Sequence, residues 1–141
     1  MSQKLFSRRR IVLLGVGLLV ILSGLMVPSI LEFQNQRVSF QAATDSAALA
    51  VAADERANLA GLSADEQKAR IDELKAFARK YMAENYLAGG ATQLENMSLD
   101  LTVDGKNVAL KTSAIVPWAF VAGLVNWPTE LKAETKIVLP Y

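Results

Sequence analysis

The sequence contains no cysteine and no histidine. The first absence excludes a disulfide scaffold, a thiol nucleophile and any thiolate metal cluster. The second excludes every triad with an imidazole base. A large excess of either charge is also missing. The 15 Lys and Arg against 14 Asp and Glu leave +1. A nucleic-acid binder needs a basic field to neutralise phosphates, so no nucleic-acid partner is expected. With 141 residues the chain has room for one ordinary domain plus an appendage.

The near-zero total conceals a division. Residues 1–10 hold four bases, Lys4, Arg8, Arg9 and Arg10, and no acid, giving +4. The remainder holds 11 bases and 14 acids, giving −3. The boundary is the stretch Ile11 to Leu31, 21 residues without an ionisable group, fourteen of them Leu, Ile or Val. As a helix this stretch spans roughly 32 Å, the thickness of a hydrocarbon core. At about −0.5 kcal/mol for each Leu, Ile or Val near the helix centre, insertion is favoured. A buried core helix of this length would show a polar face. A cleaved signal would have a shorter apolar core and a small-residue cleavage site, which Ser29 to Gln36 lacks. The expectation is an uncleaved anchor in the lipid bilayer. The basic cluster before it predicts a cytoplasmic N-terminus, with residues 32–141 on the other side. In a bacterium these are the inner membrane and the periplasm. The predicted division is a basic tail at 1–10, a transmembrane helix at 11–31 and a periplasmic domain at 32–141.

The first helix is expected to continue past the membrane. No Pro or Gly occurs from Glu32 to Leu59, and Ala42 to Ala53 holds seven alanines in twelve residues. Asp45 is the only charge between Val38 and Ala53. Such a bare stretch predicts close packing on the domain, with Gly61 as the end of the rod. Ser63-Ala64-Asp65-Glu66 reads as a capping box for a second, amphipathic helix over about 64–87, closed by Gly89-Gly90. Its stripe is Ile71, Leu74, Phe77, Ala78 and Tyr81.

The apolar period then shortens to 2. Met97, Leu99, Leu101 and Val103 alternate with polar residues, and Asp104-Gly105 signals a hairpin. Val108, Leu110, Thr112, Ala114 and Val116 continue the alternation. Pro117 is expected to stop this strand and start a short apolar helix to Val125. A third strand follows from about Thr129 to Leu139. The fold class is therefore α+β: a long N-terminal helix, a second amphipathic helix, and a three-stranded antiparallel sheet packed on the long helix.

No catalytic constellation is visible. Ser46 follows Asp45, but no base is present to activate it. The acids Asp54, Glu55, Asp65, Glu66, Asp72 and Glu73 lie among Arg56, Lys68, Arg70 and Lys75, which reads as exposed helical charge. No glycine-rich phosphate loop or EF-hand spacing occurs. No enzyme activity, metal or cofactor is expected. Glu32 marks the end of the span and is a candidate for fixing register with a partner. Trp118, Phe120 and Trp127 have three open placements: domain core, membrane interface or subunit interface.

The stretch Phe40-Gln41-Ala42-Ala43-Thr44-Asp45-Ser46-Ala47-Ala48-Leu49-Ala50, placed after one N-terminal anchor, resembles the N-terminal region of TadG/TadE-like pilus-assembly proteins of the tight-adherence (Flp pilus) system. Gln41 matches the family's Gln, Ala42-Ala43 its first alanine pair, Asp45 its acid, and Ala47-Ala48-Leu49-Ala50 its closing run. The alternating strand ending near Val116-Pro117, the apolar Phe120 to Leu124 segment and the last alternating strand extend the likeness over most of the chain. The resemblance implies a non-enzymatic structural or assembly component of a pilus or related secretion machine. Its implied partners are pilus-assembly or pilin proteins and other copies of this chain. Metal-dependent adhesion is not implied, because the Asp-x-Ser-x-Ser motif of larger relatives is missing. Prepilin-type processing is not implied either: Arg10 directly precedes the apolar run and Glu32 lies beyond its far end. The competing readings are a pilin-like filament subunit and a membrane-anchored periplasmic sensor or ligand-binding domain.

Overall fold

In the computed structural model, residues 2–86, 96–120 and 125–139 are described; the side chains of 2–7, 9 and 117–126 are not. The order of elements is α1 (Ser2–Ala52), a 3-10 turn (Glu55–Ala57), α2 (Ala64–Asn85), β1 (Ser98–Asp104), β2 (Asn107–Phe120) and β3 (Val125–Val138). The strands form one antiparallel sheet in the order β1-β2-β3, packed against the long helix. The predicted α+β architecture is observed.

The chain divides into two compact units. One comprises Met1–Gln34 with Pro117–Trp127; the other comprises Asn35–Val116 with Pro128–Tyr141.

Helix α1 runs unbroken through Pro28. It ends at Ala52, earlier than the predicted stop at Gly61. The cause is Asp54. Its carboxylate accepts the backbone N–H of Arg56 at 2.9 Å and so caps the 3-10 turn. A short acidic side chain that captures a nearby backbone donor ends one helix and starts another. Gly61 instead takes φ +78° in the connection that follows, a left-handed conformation suited to glycine. Helix α2 then opens on the predicted capping box. Ser63 Oγ accepts from Glu66 N at 3.5 Å, and Ser63 N donates to Glu66 Oε2 at 2.8 Å. Leu74, Ala78 and Met82, four residues apart, form its buried ridge, and α2 packs on β1 and on the 3-10 turn. The predicted stop at Gly89-Gly90 lies outside the described residues.

Hairpin β1–β2 pairs Leu99 with Thr112, Leu101 with Leu110 and Val103 with Val108. Asp104 faces Asn107, so the turn is Gly105-Lys106, with Gly105 at φ +55°. The period-2 reading holds along the inner face. Val108, Leu110, Thr112, Ala114 and Val116 are buried, whereas Lys111 and Ile115 are exposed. On β3, Leu131 and Ala133 are buried between exposed Glu130, Lys132 and Glu134.

Among the described residues, the short helix expected from Pro117 to Val125 is not formed. Strand β2 continues through Pro117 to Phe120, and β3 begins at Val125. The reason lies in the ladder. β1 pairs with β2 only as far as Ser113, so Pro117 lies beyond that pairing, where one flank of β2 has become an edge. A strand tolerates proline where no ladder donor is needed. Residues 121–124 lie outside the described residues.

Candidate functional site

The apolar half of α1 presents its side chains outward. Ile11, Leu14 and Leu19 are 65%, 74% and 65% exposed. This stretch belongs to the one helix, among the described residues, long and apolar enough to cross a membrane. Arg8 and Arg10 at its start are exposed, and Glu32 at its end is exposed too. The side chains of Lys4 and Arg9 lie outside the description.

The motif stretch divides into two faces. Phe40, Ala43, Ala47 and Ala48 are buried. Ala42 and Leu49 are exposed, and Ala50 is half-buried. Packing therefore buries four of the seven alanines of the 42–53 run and leaves Ala42 and Ala53 outward. Phe40 meets the ring of Tyr86 edge-on at 5.9 Å, the favourable geometry for two aromatic quadrupoles. Burial raises the Tyr86 phenol above its ordinary pKa.

The polar members of the motif stitch α1 to the sheet. Gln41 Nε2 donates to Asp45 Oδ1 at 2.8 Å and to Thr135 Oγ1 at 3.3 Å. The Thr135 hydroxyl donates to the same Asp45 oxygen. One turn further in, Thr44 Oγ1 donates to the Phe40 carbonyl at 3.0 Å and lies 2.8 Å from Thr112 Oγ1. The single Thr44 proton goes to Phe40, so Thr112 donates to Thr44. Asp45 thus has a hydrogen-bonding role between helix and strand. Ser46 is half-buried, and no imidazole or thiol exists to form a relay with it.

Near the start of α2, Arg56 binds Asp54 through Nη2 at 2.6 Å and Nε at 2.9 Å. Its guanidinium also lies 5.4 Å from the centre of the Phe77 ring and 3.9 Å from Glu73. The Arg56 side chain holds the Asp54 carboxyl below its ordinary range. No group of three or more His, Cys, Asp or Glu among the described residues is placed to hold a metal ion.

A cleft of about 410 Å³ is lined by Gln41, Ser98, Asp100, Lys111, Lys132 and Glu134, among others. It is the natural place to look for a small ligand. Within it Lys111 lies 3.8 Å from Glu134, and Lys132 turns to Glu130, which is outside the lining, at 3.1 Å. Two acids and two bases of alternating sign leave no concentrated field for a charged ligand.

Of the three aromatics with open placements, Trp127 is 65% exposed, which removes it from the domain core. The side chains of Trp118 and Phe120 lie outside the description. The alternating pattern places Thr112 and Thr135 on inward faces but does not show that they and Thr44 hydrogen-bond across the helix–sheet seam. A hydroxyl at an inward position of an alternating strand, as at Thr112, is the signal that marks such a bond.

No protein family, curated protein or solved structure matches this chain.

Proposed function

We propose that this chain is a non-enzymatic, single-pass membrane protein that acts as a structural or assembly component of a tight-adherence (Flp-type) pilus or a related secretion machine. The N-terminus is cytoplasmic, the apolar run of α1 spans the bacterial inner membrane, and the α+β domain is periplasmic. The observation that carries this reading is the change of character along α1. Its first part is apolar and exposed, as a lipid-facing helix is. Its second part is alanine-rich and held to the sheet by Thr44, Gln41 and Asp45. The basic residues ahead of the span support the orientation. The likeness of residues 40–50 to TadG/TadE-like proteins supports the choice of system. The partners would be pilus-assembly or pilin proteins, or further copies of this chain.

The continuity of α1 also supports a second reading, a pilin-like subunit that contributes its long helix to a filament. N-terminal sequencing of the mature protein separates the two. An intact N-terminus including Arg8, Arg9 and Arg10 is expected for an assembly component. A terminus beginning within the apolar stretch would favour the filament subunit. Deletion of the gene from a pilus-forming host should abolish surface pili, with recovery by the full chain. Normal pili in the deletion strain would remove the pilus assignment.

A further inference from the structure

Building on the membrane-anchored reading, we propose that the adjoining ends of β2 and β3, residues 113–120 and 125–128, form a second membrane-contacting element beside α1 in the interfacial layer of the bilayer. Three observations converge on it.

The first is composition. Ser113 to Pro128 is sixteen residues without an ionisable group. Both flanks are charged: Asp100, Asp104, Lys106 and Lys111 on one side, and Glu130, Lys132, Glu134 and Lys136 on the other. A hairpin end in water is ordinarily its most polar part. Here the polarity is reversed.

The second is placement. Pro117–Trp127 forms a compact unit with Met1–Gln34. Within that helical stretch Ser29 is buried and Leu25 and Phe33 are half-buried, at four-residue spacing. Their neighbours Val27 and Leu31 are 54% and 63% exposed. One face of the helix is thus sheltered, and Pro117–Trp127 is the other chain segment of that unit. Leu25 lies six residues inside the end of the apolar run. At 1.5 Å per residue, Leu25 lies about 9 Å below that end. If α1 spans a bilayer, this level is within the membrane.

The third is Trp127. Its exposed indole has an apolar body and one N–H donor, the chemistry enriched where headgroups meet acyl chains. Backbone chemistry limits the depth. A hairpin leaves edge N–H and C=O groups that hydrocarbon cannot satisfy, so the contact is interfacial.

The test uses the full chain reconstituted in phosphatidylcholine–phosphatidylglycerol vesicles. Trp118→Phe leaves Trp127 as the sole tryptophan, and Trp127→Phe reports Trp118. The expected result is emission blue-shifted from that of tryptophan in water. Intensity should also be lost to lipids brominated near the glycerol, more than to lipids brominated near the chain end. Flotation of the vesicles reports the anchor independently. Co-flotation with water-like, unquenched tryptophan emission would overturn the proposal and leave the anchor standing. An indole shielded from iodide but unquenched by brominated lipid would mark a protein contact, which also overturns it. Failure to float would remove the anchor reading and this proposal together.

Discussion

Thr44 Oγ1 and Thr112 Oγ1 meet at 2.8 Å in the buried seam between α1 and β2. Neither residue is more than 3% exposed. Because Thr44 gives its proton to the Phe40 carbonyl, it is the acceptor for Thr112. Thr44→Val therefore strands a buried donor, at a cost of about 1–3 kcal/mol. Thr44→Val with Thr112→Val removes both partners and should recover much of that loss. Denaturation midpoints of the four proteins in a double-mutant cycle measure the coupling. Additive losses would show that the two hydroxyls do not depend on each other.

Ala47 and Ala48 have no exposed surface, whereas Leu49 beside them is 60% exposed. Ala47→Leu should destabilise the domain by about 1–3 kcal/mol through overpacking. Leu49→Ala should change the midpoint little. A stability loss confined to Leu49→Ala would reverse the assignment of faces.

The capping box predicts a local effect. Ser63→Ala removes the acceptor for Glu66 N and should cost about 1 kcal/mol. Ser63→Asp, which keeps an acceptor, should restore most of it. Amide exchange in the first turn of α2 distinguishes this from a global change.

Asp54 supplies a pH dependence. Its carboxyl is held below the ordinary value of 3.8 by the Arg56 side chain. The folded state therefore binds this proton less readily than the unfolded state. The stabilisation is full above the ordinary value and is lost as pH falls through the lower folded value. The stability gap between the parent and Asp54→Asn should be constant near neutrality and close in acid. Urea midpoints measured across pH check it; a gap that widens in acid would contradict the sign.

Orientation rests on the N-terminal charges. Replacing Arg8, Arg9 and Arg10 together with Glu should disturb the N-in topology. A reporter fused after Tyr141, active only in the periplasm, reads the change. Unaltered activity would show that these charges do not set the orientation.

The helices and the strand alternation were legible because burial imposes a period that sequence displays directly. Leu74, Ala78 and Met82 keep the helical spacing, and Val108, Leu110 and Thr112 the strand spacing. The end of α1 is set not by the conspicuous Gly61 but by Asp54, whose side chain caps the next turn. Pro117 has the look of a strand terminator in a linear pattern, which does not display its neighbours across the sheet. The pairing of β1 stops at Ser113, and that makes a proline acceptable at 117.

The sequence by itself determined the segregation of charge, the single apolar run, the second helix with its cap, and the exclusion of thiol and imidazole chemistry. These are properties of composition and of near neighbours along the chain. Only the tertiary structure decided which alanines of the 42–53 run are buried and what Thr44, Asp45 and Gln41 bind. It also showed that Pro117–Trp127 joins the compact unit of the apolar helix. These outcomes depend on residues far apart in sequence, as with Thr44 and Thr112, 68 positions apart. A local pattern cannot encode which distant donor meets which acceptor; the packing of helix on sheet does.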